Sequence, residues 1–427
     1  MKRTLIKDLK ENSGKEVTLQ GRVQNVRALG NVTFVVLQDY TGVIQCVFET
    51  APESKTGDAV EVKGSVKEEP RAKGGFEIQA KELKILADNK EELPFDLANP
   101  KLQLQLNTLL DWRTISLRHP KNQAIFKLYD ILLKAYETVM REEGFTEIKT
   151  PKILEAASEG GANFFKINYF DKDAYLAQSP QFYKQIMVGV FERVFEIGST
   201  FRAEPHFTTR HVNEYISLDG EMGFIESFRD ISAMITTVLS KIFKIIETEG
   251  APYLEMWKCK VPDVPKEIPH VKLSEIKKIV KEKYGYEIPE TTDIDPEGER
   301  LAGQYAKEEF NSDFIFITHY PWSEKPFYTM PSKDNPDETE GFDLLFRGME
   351  IITGSQRINE YEQLIENMKK KGVKEAGMEA YLNVFKYAMP PHGGWGLGSE
   401  RVIQQLLGLT SIKEAILFPR DVKRLRP

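Results

Sequence analysis

The sequence has 427 residues, which is too long for one ordinary hydrophobic core and predicts two or three domains. Hydrophobic residues make up 41% and aromatic residues 11% of the chain, which is typical of a folded globular protein and excludes a disordered one. The net charge of −7 argues against a protein that coats nucleic acid without specificity.

Features of targeting and redox chemistry point to the cytoplasm. No apolar run is long enough to cross a bilayer, and the N-terminal residues lack the apolar core of a signal peptide. The two cysteines, Cys46 and Cys259, lie far apart and show neither metal nor redox spacing. We therefore expect a cytoplasmic protein without disulfides and without a membrane partner.

Residues 1–90 predict a small β-barrel. Four stretches alternate apolar and polar residues and are separated by turns that contain glycine. They are EVTLQGRVQNVRALG, VTFVVLQDYTGVIQCVFE, DAVEVKGSVKEEP and GGFEIQAKELKIL. About five strands in roughly 70 residues indicate an OB-fold. The charged, proline-containing stretch that follows predicts a linker or hinge over residues 91–120.

Residues 121–427 predict an α+β domain. Apolar residues recur at helical spacing before Gly144, where the helix is expected to end: Ile125, Leu128, Ile131, Leu132 and Ala135. Strand-like runs such as RVFEIGSTF and EYISLDGEMGF then alternate with helical runs. This order, without strict β–α–β alternation, favours a largely antiparallel sheet flanked by helices. Residues 250–312 have the least legible pattern.

The stretch FRAEPHFTTRH concentrates charge directly after a predicted buried strand. Arg202 and Glu204 are two residues apart, so on an extended backbone both side chains project to the same face. An arginine can bind a phosphate through two parallel hydrogen bonds, and a nearby glutamate can accept from an adenine amine. The stretch alone is more typical of a surface ion pair.

Two further stretches carry complementary chemistry. The run GGWGLGSER brings glycines and Arg401 to the start of an amphipathic helix, where backbone can approach a charged ligand closely; a flexible turn is the other interpretation. In FDLLFRGMEIITGSQR, a turn at Gly348 would bring Asp343 and Glu350 together. Two carboxylates beside phosphates are typical of a Mg²⁺ site.

These motifs resemble a known family. TPKI, FRAE…TTRH and GLGSER, in that order, are similar to the three signature motifs of the class II aminoacyl-tRNA synthetases. EGGANFF, QSPQFYKQIMV, KPFYTM and PPHGGWGLGSER resemble the compact aspartyl branch of archaea and eukaryotes, which some bacteria also carry in a short form. The resemblance runs nearly end to end. It implies an OB-fold that binds an anticodon, followed by a class II catalytic domain.

The resemblance also implies an ATP site and a metal site. Arg202, Arg401 and Glu350 would be the catalytic residues, since positioning and electrostatics supply the rate of phosphoryl chemistry. The ATP site would comprise Arg202, Ala203, Glu204, Arg210, His211, Val212, Glu350, Gly398, Ser399, Glu400 and Arg401. Mg²⁺ would be held by Glu350, Thr353 and Asp343. The family usually has a serine where this chain has Thr353, so the fit of that ligand is open.

An aspartate site is implied in the same domain. Lys184 and Arg357 would bind the side-chain carboxylate, and Glu159 with Gln181 would form the ammonium and lid site. Arg202 would contact the α-carboxylate, Thr353 would lie close by, and Asp219 and Glu221 are further acidic candidates. A buried lysine and arginine would favour aspartate over asparagine, because an unpaired buried cation is costly.

The remaining implied positions concern macromolecular partners. In the barrel, Phe34, Gln45 and Glu77 match anticodon-binding positions, although a strand aromatic is as often part of a core. Gln24 and Lys73 align with two positions that separate relatives charging tRNA-Asp alone from those that also charge tRNA-Asn, and they match neither pattern fully. Pro151 would lie at the interface of a homodimer.

The leading functional prediction is aspartate–tRNA ligation with ATP, with tRNA-Asp and possible use of tRNA-Asn left open. The alternatives are asparagine–tRNA ligation, an amide-forming paralogue, and a catalytically silent RNA-binding relative. A barrel that binds an anticodon argues against the paralogue, and retention of every phosphate arginine and metal carboxylate argues against the silent relative.

Overall fold

The computed structural model describes residues 2–72, 74–99, 101–155, 164–289 and 293–427. The chain divides into two compact units, one reaching to Pro120 and one running from Lys121 to Pro427. None of the described helices is long and apolar enough to cross a membrane.

The first unit contains the predicted barrel. Its strands are β1 (Glu16–Leu29), β2 (Val32–Gln38), β3 (Val43–Phe48), β4 (Ala59–Glu68) and β5 (Phe76–Ala87). They close in the order β1-β2-β3-β5-β4, and alternate residues of β2, β3 and β4 are buried inside. The OB-fold prediction is confirmed. Two short helices follow, α1 (Leu106–Asp111) and α2 (Arg113–Ser116).

The second unit is built on an eight-stranded sheet. Its strands are β6 (Thr146–Glu147), β10 (Arg193–Phe201), β11 (Glu214–Gly223), β12 (His270–Lys272), β13 (Phe314–Thr318), β14 (Gly341–Phe346), β15 (Met349–Arg357) and β16 (His392–Gly398). Their order is β12-β13-β14-β15-β16-β11-β10-β6, and only the pairs at the two edges are parallel. A small sheet is formed by β7 (Ile153–Leu154), β8 (Lys166–Tyr169) and β9 (Lys172–Leu176). The α+β prediction is confirmed.

Helices cover this sheet. They are α3 (Pro120–Glu142), α4 (Gln181–Phe191), α5 (Phe228–Glu249), α6 (Ala251–Trp257), α7 (Leu273–Tyr284), α8 (Pro296–Phe310), α9 (Tyr361–Lys370), α10 (Glu379–Phe385) and α11 (Ser399–Leu407). The predicted apolar stripe of α3 packs with α5 and the sheet in one large core. Gly144 follows α3 with a φ of 81°, a left-handed conformation that suits glycine.

The poorly legible stretch 250–312 folds into regular elements where it is described. Its helices α7 and α8 pack through apolar residues on β13 and β14, in a core of their own. Asp295 caps α8 by accepting a hydrogen bond from the Gly298 amide at 3.0 Å, and Pro296 occupies the first helical turn. This helix start places α8 beside the site described next.

Pro151 separates two very short strands. It is exposed and lies between β6 and β7. Its neighbours Thr150 and Lys152 both bind the buried Glu196, through hydrogen bonds of 2.7–3.0 Å. A place for Pro151 at a dimer interface stays a prediction.

Candidate active site

One cavity brings together most of the residues predicted for ATP and aspartate. Its wall is formed by residues of α4, β11, β15, β16, α11 and the loop between β10 and β11. The predicted residues that line it are Gln181, Lys184, Arg202, Glu204, Arg210, His211, Val212, Asp219, Glu350, Thr353, Arg357, Gly398, Glu400 and Arg401. Ala203, Asp343 and Ser399 are adjacent in sequence or across a strand pair but do not line it. Glu159 and Lys73 lie outside the described residues.

The floor of the cavity is a strip of glycines in β16. Gly394, Gly396 and Gly398 alternate with Trp395 and Leu397, whose side chains are buried on the opposite face. Gly396 pairs with Asp219 of β11 on one side and with Thr353 of β15 on the other. Charged side chains of both neighbouring strands can therefore lean over β16 without meeting a side chain. The alternative interpretation of this run, a flexible turn, was wrong, because the run is a central strand of the sheet.

The loop between β10 and β11 holds the predicted phosphate and adenine groups. Asn213 closes this loop, because its side-chain amide donates to the Arg202 and Glu204 carbonyls at 2.7 and 3.2 Å. The Glu204 carboxylate lies between Arg202 Nη1, at 3.8 Å, and His211 Nε2, at 3.5 Å. The Arg202 guanidinium also lies 5.7 Å from the centre of the Tyr215 ring.

Arg401 and Glu350 meet on the opposite wall. Arg401 Nη1 donates to the Glu350 carbonyl at 2.8 Å and lies 3.3 Å from its carboxylate. Desolvation opposes ionisation of the Glu350 carboxyl, but Arg401, Lys325 and Arg202 outweigh it and lower its pKa. Glu350 is therefore a carboxylate at neutral pH.

Ser399 and Glu400 anchor the start of α11. Ser399 Oγ donates to the Ile216 carbonyl at 2.8 Å, and the Glu400 carboxyl accepts from the Ile216 amide at 3.0 Å. Tyr129 Oη donates to the same carboxyl at 3.0 Å, and burial raises the pKa of Glu400. These contacts fix where Arg401 leaves the helix.

The predicted metal carboxylates come together across a hairpin. Arg347 and Gly348 turn the chain with φ values of 48° and 76°, and Asp343 then pairs directly with Thr353. Lys325, from the KPFYTM stretch, donates to both Asp343 oxygens at 2.9 and 3.1 Å. Burial raises the pKa of Asp343 despite this lysine. Its carboxylate thus already has a cationic partner.

The two cations predicted to bind aspartate lie side by side and are already paired. Lys184 Nζ lies 2.8 Å from Asp219 Oδ2 and 3.3 Å from Glu221 Oε2. Arg357 Nε donates to Glu221 Oε1 at 2.8 Å, and its Nη2 donates to Gln181 Oε1 at 3.3 Å. The expectation of an unpaired buried cation was therefore wrong, since two carboxylates balance two cations.

Glu221 has a lowered pKa, and Gln181 has a buried donor without a partner among the described residues. Burial would raise the pKa of Glu221, but Arg357 and Lys184 outweigh it and hold the pKa below its ordinary value. Gln181 is 3% exposed, and its Nε2 has no hydrogen-bond partner among the described residues. Because Gln181 Oε1 accepts from Arg357, the orphaned atom is an N–H donor that suits an acceptor on a ligand.

Sequence reasoning assigned no role to several residues around the cavity. Lys325 lay in a quoted motif, and Glu299 lay in the poorly legible region, although the Asp-Pro helix start before it was a usable signal. His392 is fully buried, and its Nε2 accepts a hydrogen bond from the side-chain amide nitrogen of Gln185 at 2.8 Å. Burial lowers the pKa of His392 to about 4, so it is neutral at physiological pH.

The predicted anticodon residues share the barrel. The Arg27 guanidinium lies 5.6 Å from the centre of the Phe34 ring, and its Nη2 donates to Gln45 at 3.3 Å. Glu77 is buried and accepts from Lys67 at 3.0 Å. Gln24 is buried as well and donates to Gln38.

Comparison with known proteins agrees with both units. Residues 105–422 match the model of class II tRNA synthetases for D, K and N, and residues 17–86 match the OB-fold nucleic acid binding domain. The aspartate–tRNA(Asp/Asn) ligases of Deinococcus radiodurans and Thermus thermophilus are 45% and 44% identical to this chain. The alignments cover all of this chain and 99% and 100% of those proteins, respectively.

Two further relatives mark the range of the similarity. The aspartate–tRNA(Asp) ligase of Pyrococcus abyssi is 40% identical over 98% of this chain and 97% of its own length. The crystal structure of asparaginyl-tRNA synthetase from Pyrococcus horikoshii with asparaginyl-adenylate is 30% identical, with a TM-score of 0.92 and full coverage of both chains. With a family model spanning most of its length and such full-length relatives, the chain belongs to the class II aminoacyl-tRNA synthetases, in the group of the aspartate–tRNA ligases.

Proposed function

We propose that this protein is an aspartate–tRNA ligase, which uses ATP to form aspartyl-adenylate and then transfers aspartate to the 3′ end of tRNA-Asp. One observation carries the proposal. Lys184 and Arg357, which both pair with the buried Glu221, line the same cavity as Arg202 and Arg401. Lys184 and Arg357 suit a dicarboxylic amino acid, and two arginines that line the same cavity suit a triphosphate.

The first step is attack of the aspartate α-carboxylate on the α-phosphate of ATP. Arg202 would bind both groups and stabilise the negative charge that grows as they join. Arg401 would neutralise the departing pyrophosphate, while Glu204 would accept from the adenine amine. Arg210 and His211 would bind the outer phosphates. None of these residues forms a covalent bond, so the site acts by positioning and electrostatics.

The oxygen ligands at the hairpin suit Mg²⁺. The Glu350 carboxylate and the Thr353 hydroxyl, with Asp343 across the strand pair, are the hard ligands that this ion prefers. Glu350 and Thr353 would hold the ion, and the added methyl of threonine leaves the hydroxyl in place. A bound Mg²⁺ supplies positive charge to the phosphates of ATP.

Selectivity for aspartate over asparagine would come from the hydrogen-bond donors of the pocket and not from an unpaired buried cation. The Lys184 ammonium, the Arg357 guanidinium and the Gln181 amide offer only N–H donors to a ligand. A carboxylate accepts from all of them with either oxygen. The amide nitrogen of asparagine would instead present its own N–H groups to these donors, which leaves buried donors unpaired.

Pyrophosphate exchange with individual amino acids tests the proposal. The purified protein is incubated with ATP, labelled pyrophosphate and either aspartate or asparagine, and label in ATP is counted. We expect exchange with aspartate that exceeds exchange with asparagine by at least about 100-fold, the scale set by unpaired buried polar groups. Exchange with asparagine alone would assign the protein to the alternative that the Pyrococcus horikoshii structure represents.

A second activity, charging of tRNA-Asn with aspartate, is favoured by one observation. The relatives from Deinococcus radiodurans, Thermus thermophilus and Aeropyrum pernix, at 42–45% identity, are all named aspartate–tRNA(Asp/Asn) ligases. Aminoacylation of separate tRNA-Asp and tRNA-Asn transcripts with labelled aspartate decides this. We expect both transcripts to be charged; charging of tRNA-Asp alone would restrict the function.

The location and assembly of the protein complete the proposal. The enzyme would work as a cytoplasmic homodimer, with Pro151 near the twofold axis. Supporting this, Pro151 is exposed beside the sheet edge formed by β6. Sedimentation of the purified chain would give a dimer mass of about twice 48.9 kDa.

A further inference from the structure

A buried glutamate outside the predicted site connects two of its walls. Glu299 belongs to the first turn of α8 and is 8% exposed. Its Oε2 accepts a hydrogen bond from Arg210 Nη2 and another, at 2.9 Å, from the backbone amide of Glu350. One carboxylate oxygen thus joins three segments that lie 51 and 89 residues apart in sequence.

The position of this carboxylate is fixed by close backbone packing. A side chain on Gly303 of α8 would lie 2.4 Å from the Gly348 amide nitrogen, and one on Gly348 would lie 2.8 Å from Arg300 Cα. Helix α8 therefore rests directly on the turn between β14 and β15. Because Glu350 is the second residue after that turn, the helix and the strand hold Glu299 in register with it.

Burial raises the pKa of Glu299 to about 7, while Arg210 beside it favours the charged form. A carboxylate beside a triphosphate would repel it, yet this one faces Arg210 and the backbone of β15. An arginine on a loop loses side-chain conformational entropy when it binds a phosphate. A buried partner that already orders the arginine in the free protein reduces this entropic cost of binding. Arg210 keeps its remaining N–H groups for a ligand while the Glu299 oxygen holds it.

We propose that Glu299 is a positioning residue, which holds Arg210 and the Glu350 strand in the geometry that receives the outer phosphates of ATP. This inference rests on the proposed function for its ligand, but it concerns ATP and not the choice of amino acid. Glu299 acts through Arg210 and Glu350 and touches no reacting atom.

Steady-state pyrophosphate exchange on Glu299→Gln and Glu299→Ala tests this role. We expect the KM for ATP to rise about 10-fold in Glu299→Gln and further in Glu299→Ala, since hydrogen bonds to charged groups contribute on that scale. The KM for aspartate should change less than about twofold. Glu297→Gln is the matched control, because Glu297 lies on the same helix but is half-buried and pairs with Arg300 in its own turn.

A double-mutant cycle with Arg210→Ala separates positioning from a general structural role. If Glu299 acts through Arg210, Glu299→Ala adds less than about twofold to the KM defect of Arg210→Ala. Multiplicative defects, or equal increases in both KM values together with a lowered Tm in Glu299→Gln, would overturn the inference. Wild-type exchange with asparagine alone would change the proposed function but leave this cycle measurable with that amino acid.

Discussion

Glu221 is a buried carboxylate that links the two cations of the proposed aspartate site. It is fully buried and contacts Lys184 and Arg357 at once. If Glu221 loses its charge, Asp219 is the one carboxylate left of the two that balance Lys184 and Arg357. Removal of one partner from a buried ion pair is strongly destabilising, because it leaves a buried charge without compensation. We expect Glu221→Gln to lower the free energy of unfolding by about 3 kcal/mol at pH 7. Urea denaturation followed by fluorescence measures this.

The same contact has a defined pH dependence. Arg357 and Lys184 hold the folded-state pKa of Glu221 below its ordinary value of 4.5. Its stabilisation is therefore complete above pH 4.5 and is lost as the pH falls through the lower folded value. The difference between wild type and Glu221→Gln should shrink below pH 4.5, whereas the exposed Glu226→Gln should show no difference at any pH. A constant difference at pH 3.5 would contradict this.

Arg357 lends itself to a test of substrate binding. Its guanidinium donates to Glu221, Ser355 and Gln181, a planar fork that lysine cannot reproduce. We expect Arg357→Lys to raise the KM for aspartate in pyrophosphate exchange by about 10- to 100-fold. The KM for ATP should stay within about threefold of wild type. Equal losses for both substrates would indicate a distorted cavity instead.

At the scale of secondary-structure elements, β16 explains why the cavity has room for a ligand. Gly396 and Gly398 line the cavity, whereas Trp395 and Leu397 face the core, so the alternation of the strand separates charge from apolar packing. A side chain at position 394 would lie 2.2 Å from Glu221 Oε2 and from the Gly220 carbonyl oxygen. The Glu221 carboxylate is held by two cations, and the Gly220 oxygen belongs to the backbone of β11. Neither atom can therefore move away easily.

A methyl group at this position should therefore be costly. We expect Gly394→Ala to destabilise the protein by about 2 kcal/mol, the range of overpacked cores, and to lower aspartate affinity through displacement of Glu221. Gly396→Ala is the control for stability, since its nearest neighbours would lie 3.6 Å away. Thermal melts compare the two variants, and equal Tm values would contradict the packing argument.

The elements also mark where sequence patterns suffice. The apolar spacing of α3 and the alternation in the barrel strands are local signals, and both were predicted correctly. The G-W-G-L-G alternation in β16 was equally local but was hidden by the association of glycine with turns. In α8, Glu299 has the same appearance as any exposed helical glutamate, because its burial depends on β15 and Arg210.

At the scale of the molecule, family motifs predicted which residues would meet but not how their charges balance. Most of the predicted site residues between positions 181 and 401 line one cavity. The pairing of Lys184 and Arg357 with Asp219 and Glu221, and of Asp343 with Lys325, depends on register across β11, β15 and β16. Such long-range pairing has no signature in local spacing, so charge compensation was the part that sequence reasoning missed.

Because the chain divides into two units, we expect a substitution in the barrel to affect the tRNA-dependent step without affecting amino-acid activation. Phe34 lies in the barrel with Arg27 and Gln45, whereas every residue that lines the cavity belongs to the second unit. Stacking of an unpaired base on an aromatic ring contributes about 1–3 kcal/mol. We expect Phe34→Ala to lower kcat/KM for aminoacylation of tRNA-Asp by about 10- to 100-fold and to leave pyrophosphate exchange unchanged.

The matched control is Tyr40→Ala, which removes another exposed aromatic ring from the barrel, outside the predicted anticodon positions. Its aminoacylation should stay within about twofold of wild type. Loss of exchange in Phe34→Ala would mean that the ring supports the fold, since the adenylate step needs no tRNA in this scheme. Unchanged aminoacylation would remove Phe34 from the anticodon site. Selective loss of the tRNA step would place base recognition in the barrel and activation chemistry in the second unit.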